Sequence, residues 1–317
     1  MSASTADLTP WPKLFHESLK ATAETLQLWT QVVGKLRLAQ TPWLNHSWHV
    51  PLYVTARGFS TSLIPHAAGA FDIEFDFVAS VLVLRTVSGH EATTPLEPQS
   101  VASFYARVMA KLEAAGIPVV IDTTPSEIAD PIPFPDDRAP RAYDAVVARD
   151  LWRALVKIDQ VFKLFRTGFL GKASPVHLFW GGLDLAVTRF SGRPAPAHPG
   201  GVPHLPDAVV REAYSHEVSS AGFWPGGGGV DHPAFYSYAY PEPPGFRDTA
   251  VKPDGAAYNA SLGEFVLPYE AVRAAPDPQA ALLAFLSSTY AAAAEAGGWD
   301  RAALECDLGK PGVPRPT

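Results

Sequence analysis

Ser174 to Gly192 reads SPVHLFWGGLDLAVTRFSG, and the parity of this stretch decides the fold. As one unbroken strand it would set His177 with Leu183, Leu185 and Val187 and place Asp184 on the opposite side, so that both faces mix polar and apolar groups. A two-residue turn or a bulge at Gly181-Gly182 flips the parity after the glycines. Val176, Leu178, Trp180, Leu183, Leu185 and Val187 then share an apolar face, and His177, Phe179, Asp184, Ala186 and Thr188 share the other. The reading predicts a hairpin with one face on a core and one face carrying chemistry.

The same operation works in the first half of the chain, with a turn at Arg57-Gly58 in WHVPLYVTARGFSTS. Val50, Leu52, Val54, Phe59 and Leu63 fall together, opposite His49, Tyr53, Thr55, Ser60 and Ser62. Helical periodicity occupies residues 14–38, 100–115, 150–169 and 277–297, the second opening at the N-cap Ser100 and closing at Gly116. Extended segments fill 48–56, 59–64, 71–77, 81–86, 176–190, 212–223, 235–240 and 264–269. The order helix, strands, helix therefore occurs twice, which predicts a two-half pseudo-duplication in which His49 and His177 are topological partners. Residues 1–121 form an N-terminal α+β half, 122–148 a Pro-rich connection, and 149–317 a C-terminal α+β half carrying the candidate site. The expected class is α+β, with antiparallel sheets and helices packed on their outer faces.

Composition removes several function classes. With 47% hydrophobic and 18% charged residues the chain can bury a large core, and a net charge of −7 leaves no basic footprint for nucleic acid. The N-terminus lacks a basic segment followed by an apolar one, and no apolar run is long enough to span a bilayer. The single cysteine, Cys306, forms no internal disulfide and has no base placed beside it, so it reads as incidental; a reducing cytoplasm is the expected location. Gly226 to Gly229 precede no helix start, and Gly168, Gly171 and Lys172 lack Walker spacing. Neither GxSxG nor GxGxxG occurs.

Candidate functional residues concentrate in the second half. In EAYSHEVSSAGFWPG alternation predicts Glu212, Tyr214 and His216 on one face and Ser215, Glu217 and Ser219 on the other; in AFYSYAYPEP, Tyr236, Tyr238 and Tyr240 share a face. His177, Asp184, His216 and Glu217 are the catalytic candidates. His177 or His216 would act as acid or base, oriented by Asp184 or Glu217, with Tyr236 or Tyr238 as donor. His177, Asp184 and His216 could instead hold a divalent metal, since imidazole and carboxylate suit Zn, Mn or Fe. The plain alternative is that such histidines are hydrogen-bonded structural groups. Lys172 and Arg189 could hold an anionic substrate group or form ordinary ion pairs. Phe179, Phe223, Trp224, Tyr236 and Tyr238 would line an aromatic pocket or form a cross-strand ladder, with His49 and Tyr53 contributed by the first half.

SPVHLFWGGLDLAVTRFSGR, EAYSHEVSSAGFWPG and PAFYSYAYPEPPGF resemble the hallmark blocks of a bacterial family of unknown function, numbered five-nine-nine-six, and the likeness runs from about Trp11 to Arg301. The resemblance implies membership and supplies no mechanism. Relatives in that family often carry Asp-His after the strand that reads FDIEFDF here, and a histidine shortly before the Tyr-Asp of the connection. This chain has Ala79-Ser80 and Arg138–Ala142 at those places, so the resemblance points away from a site shared by both halves and toward the second half. The expectation is a small-molecule enzyme of unassigned reaction, acid–base or metal-assisted. The alternatives are a non-catalytic small-molecule binding protein and a structural interaction module. A proton-transfer or metal-binding group at the pocket floor separates the first from the others.

Overall fold

Alternation in FDIEFD turns Phe71, Ile73 and Phe75 inward and Asp72, Glu74 and Asp76 outward, and the first sheet grows on both sides of that strand. The computed structural model describes residues 10–315 apart from Gly228. Helix α1 (His16–Gln40) leads through a short 3-10 turn, Asn45–Ser47, into β1 (Tyr53–Val54), β2 (Gly58–Ser60), β3 (Ile64–His66), β4 (Gly69–Asp76), β5 (Val81–Thr86) and β6 (Glu91–Pro95). These strands are antiparallel in the order β1-β2-β4-β5-β6, with β3 also paired to β4. Helix α2 (Val101–Ala114) closes this half, and a long irregular connection follows.

The second half opens with α3 (Ala145–Thr167), then runs through β7 (His177–Phe179), β8 (Asp184–Pro194), α4 (Asp207–Ala213), β9 (His216–Trp224), β10 (Ala234–Tyr240), β11 (Ala257–Asn259) and β12 (Glu264–Pro268). Short α5 (Tyr269–Arg273), long α6 (Pro278–Ala296) and short α7 (Arg301–Leu304) end it. Its antiparallel sheet has the order β7-β8-β9-β10-β12-β11. The class is α+β. Side chains set the helix starts: Ser100 accepts from the Ser103 N–H, Asp144 from those of Val146 and Val147, and Asp277 from that of Ala280. Each such cap contributes about 1 kcal/mol.

The two sheets meet edge to edge. Leu52 and Leu178 exchange both backbone hydrogen bonds, at 2.9 and 2.8 Å, which joins β1 to β7. One hydrophobic core runs through both halves: Leu26, Trp29, Val33 and Leu36 of α1 pack with Phe59, Phe75 and Phe104 on one side and Leu178, Leu185 and Phe162 on the other. Among the described residues no helix is long and apolar enough to cross a membrane.

The glycine pair resets the parity of the opening stretch. Phe179 pairs with Asp184 and His177 with Ala186, so these four side chains share a face, while Leu178 pairs with Leu185 on the core side. The loop between them is four residues long, and its last residue, Leu183, adopts φ +54 while its side chain is buried. Three expectations need correction. Residues 48–52 form no continuous strand, because the 3-10 turn takes up the chain before Leu52 reaches its bridge. Leu63 is 61% exposed, since β2 ends at Ser60 and alternation lapses beyond it. Residues 207–213 are helix α4, so Glu212 and Tyr214 precede the strand rather than alternate within it.

Candidate functional site

The polar face of the second sheet is built by register. Ala186 opposes Gly222 and Gly222 opposes Tyr236; one step along, Thr188 opposes Ser220 and Ser220 opposes Tyr238. Gly222 is the key to this surface, because a Cβ there would overlap the Tyr236 ring. The bare backbone of β9 lets that ring cross the strand, and its hydroxyl donates to Asp184 Oδ2 at 2.5 Å. Tyr238 bonds to the Tyr214 hydroxyl at 2.8 Å, and Trp224 packs against Tyr236 with centroids 5.1 Å apart.

A flap folds over this face. Residues 195–206 return along it: Tyr240 donates to the Pro196 carbonyl, and His198 lies on the rings of Tyr214 and Tyr240 at 4.7 and 5.0 Å. The connection between the halves supplies Glu127. Gln31 of α1 grips neighbouring Ser126 through two hydrogen bonds, of 3.0 and 2.8 Å, and the Glu127 N–H donates to the Pro203 carbonyl at 2.8 Å. Glu127 itself has φ +63, a left-handed conformation that costs about 1 kcal/mol or more in a non-glycine residue and persists only where its neighbours enforce it. Its carboxyl lies against Gly181, where a side chain would collide with it, and Gln27 Nε2 holds the Gly181 carbonyl at 2.5 Å.

Asp184 of β8 and Glu264 of β12, next to the Phe265 that pairs with Ser237, belong to this sheet, and Glu127 comes to it from the connection. Burial pushes Asp184 up to about 6, partly countered by the Tyr236 hydrogen bond. Burial, with the charge of Asp184 added, pushes Glu127 and Glu264 each up to about 7. Tyr236 and Tyr238 are raised well above their ordinary range by burial and the same negative surroundings. Glu127 is an exposed residue, so its carboxyl stands at the open rim of the recess that this polar face forms with residues 195–206. The side-chain carboxyls of Glu127 and Glu264 have no hydrogen-bond or ion-pair partner among the described residues.

The sequence candidates divide between this recess and other places. Asp184, Tyr236, Tyr238 and Trp224 belong to the recess, and half-buried Phe179 borders it, its ring 4.6 Å from that of His177. His177 shares the face but is fully buried at the edge, where burial and the charges of Arg37 and Arg166 hold its imidazole down at about 3, so it is a neutral group. His216 pairs with Pro194 at the far end of β8 from Asp184, roughly 30 Å along a strand of 3.3 Å per residue. It sits beside His46, centroids 6.1 Å apart, in a cluster where Lys172 Nζ is 2.6 Å from His46 Nε2 and Glu212 accepts the His46 backbone N–H. Among the described residues no three His, Cys, Asp or Glu side chains are arranged to hold a metal ion, so His177, Asp184 and His216 form no metal site.

Glu217 accepts from Ser191 and Arg193, and Arg193 also donates to the carbonyls of Gly297 and Gly298, tying β9 to the end of α6. Arg189 is buried on the core side among the rings of Phe165, Tyr290 and Phe169, at 3.6, 4.4 and 5.0 Å. Phe223 is likewise in the core. Lys172, away from the recess, packs on Trp48 and Phe190. His49 is buried beside Trp43, and Tyr53 lies near Arg37 at the junction of the sheets. Glu127, Glu264, Tyr214 and Gly222 carry the recess without having stood out in the sequence; the glycine that interrupts apolar SSAGFW was the available signal.

No curated protein and no solved structure matches the chain. The family model described as a family of unknown function, DUF5996, matches residues 11–306, nearly the full length, and the chain belongs to that family.

Proposed function

We propose that the protein is a cytoplasmic small-molecule enzyme whose recess performs acid–base chemistry without a metal, with Asp184 as the proton-transfer group. The observation that carries this reading is the 2.5 Å hydrogen bond from Tyr236 to Asp184 in a desolvated, carboxyl-lined recess. A carboxyl near 6 holds or releases a proton at neutral pH, and Tyr236 fixes the lone pair it presents. Glu127 and Glu264, each pushed up to about 7, are the groups that would return the proton. Trp224, Tyr214 and Tyr238 supply flat walls, and residues 195–206 cover part of the face. Non-catalytic binding is the second reading, favoured by the tyrosine rings and unpaired carboxyls, which suit ligand capture as well as proton transfer.

The test is a panel of small metabolites screened for turnover by NMR and for binding by thermal shift, on the wild type and on Asp184→Asn. The acid–base reading expects a transformed compound that Asp184→Asn still binds and turns over roughly 100-fold more slowly or worse. Equal turnover in Asp184→Asn contradicts it. Binding without turnover by the wild type establishes the binding reading instead.

A further inference from the structure

The junction of the two sheets holds a buried cation with no counter-charge. Arg37, in the last turn of α1, is 7% exposed, and no carboxylate approaches it among the described residues. One guanidinium nitrogen donates to the Pro51 carbonyl, the Tyr53 hydroxyl is a hydrogen-bonding neighbour whose ring centroid lies 5.3 Å from the central carbon, and Nε has no hydrogen-bond partner among the described residues. The Leu52–Leu178 bridge sets Tyr53 opposite His177, which is 1% exposed and whose Nδ1 also lacks a partner. His49, 3% exposed, stands two residues before Pro51, and its Nδ1 lies 3.2 Å from the Leu44 nitrogen and 3.3 Å from the Leu44 carbonyl oxygen.

An Arg37 guanidinium without a carboxylate partner, its Nε unbonded, and the unpartnered Nδ1 of His177 therefore belong to the same junction. An unpaired buried charge costs several kcal/mol, and folds ordinarily answer it with a carboxylate or an aromatic enclosure. Arg189 shows the second answer, wrapped by three rings within 5.0 Å. Arg37 has a single ring, at 5.3 Å. Burial first and then the Arg37 charge depress proton binding at His177 and His49, with Glu212 opposing at His49.

We propose that this junction is a binding site for the anionic group of a small ligand, a carboxylate or a phosphate, with Arg37 as counter-charge and Arg37 Nε, His177 Nδ1 and the Tyr53 hydroxyl as its polar contacts. The guanidinium fork suits either oxyanion. The site is separate from the Asp184 recess and does not rest on the acid–base reading.

The test is isothermal titration of the full chain with inorganic phosphate and, separately, with malonate, using sodium chloride to hold ionic strength constant. Saturable binding of one equivalent of either anion is expected, with the preferred one distinguishing a phosphorylated from a carboxylated ligand. Arg37→Gln should weaken it by at least about ten-fold and His177→Gln by less, while Asp184→Asn leaves it unchanged. If Arg37→Gln fails to fold by circular dichroism, His177→Gln and Tyr53→Phe carry the comparison. Absence of saturable binding for both anions, or wild-type affinity in every folded variant of the junction, overturns the proposal.

Discussion

The outer face of the first sheet and the Asp184 end of the second treat their carboxyls in opposite ways. On the outer face of the first, Glu74 accepts from Thr55 at 2.8 Å and from Arg85 at 3.1 Å, Arg85 also reaches Asp72 and Glu91, and Arg57 bonds Asp76 at 2.5 Å. Asp76 also caps the N–H groups of Val78 and Ala79, and these donors together hold it below the usual aspartate range although burial pulls the other way. Asp72 is raised, burial outweighing Arg85. At that end of the second sheet Asp184 accepts from Tyr236, Asp184 and Glu264 have no cationic partner among the described residues, nor has Glu127 of the connection, and all three are raised toward neutrality. The difference separates carboxyls that hold a surface together from carboxyls kept available. Ion-paired carboxylates fix geometry, whereas desolvated, cation-free ones can exchange protons near neutral pH.

The largest expected effect that sharpens this contrast is functional. Asp184→Asn should reduce any activity found by roughly 100-fold or more, while Asp76→Asn changes it by about two-fold at most. Parallel turnover assays on the two variants check this, and equal losses would erase the distinction between the sheets.

Next in size is packing. Gly222→Val places a branched side chain where the Tyr236 ring crosses β9, so an overpacking cost of about 1–3 kcal/mol is expected, read by chemical denaturation. The double variant Gly222→Val/Tyr236→Ala should recover part of it, because the obstructed ring is then gone.

Stability should respond with opposite signs in the two sheets. Asp184 binds its proton more tightly in the folded state, so its carboxylate costs stability that grows as pH rises from about 4 through about 6 and then levels. At about pH 8, Asp184→Asn should therefore stabilise, by about 1 kcal/mol once the accessibility of the recess is allowed for, while Asp76→Asn destabilises by a similar amount. Thermal midpoints across pH 4–8 decide it, and the gain from Asp184→Asn should vanish by about pH 4. Glu264→Gln should give the smallest effect, a rise of about a degree or two at pH 8, because its carboxyl is only partly buried.

How far the sequence could be read follows from which signals are local. The four long helices, the parity reset at Gly181-Gly182 and the shared face of His177 and Asp184 come from periods of 3.6 and 2, which neighbouring residues carry. Helix α4 was missed although Pro206 and Asp207 mark a start, because the alternation of the following strand was extended backward over Glu212 and Tyr214. The recess was legible only in part. Asp184, Tyr236 and Tyr238 lie on strands whose register brings them together, but Glu127 reaches them from the connection through the Gln31–Ser126 and Pro203 contacts. Long-range loop placement of this kind has no sequence period. His216 shows the converse error: strand adjacency was right, but its pairing with Pro194 put it at the wrong end. The expected pseudo-duplication would make the β1–β2 and β7–β8 hairpins equivalent, which superposing the two halves tests; His49 lies before the first hairpin, in the turn that precedes Leu52.

The central claim is that the second sheet holds a carboxyl able to carry a proton near neutrality, and the most direct measurement is a carboxyl carbon NMR titration of Asp184, assigned with Asp184→Asn and referenced to Asp76. The account predicts a midpoint of about 6 for Asp184, moving higher in Tyr236→Phe because the hydroxyl that favours the carboxylate is lost, with Asp76 below the ordinary aspartate value. An Asp184 midpoint at or below the ordinary aspartate value of about 3.9, unmoved by Tyr236→Phe, would contradict it.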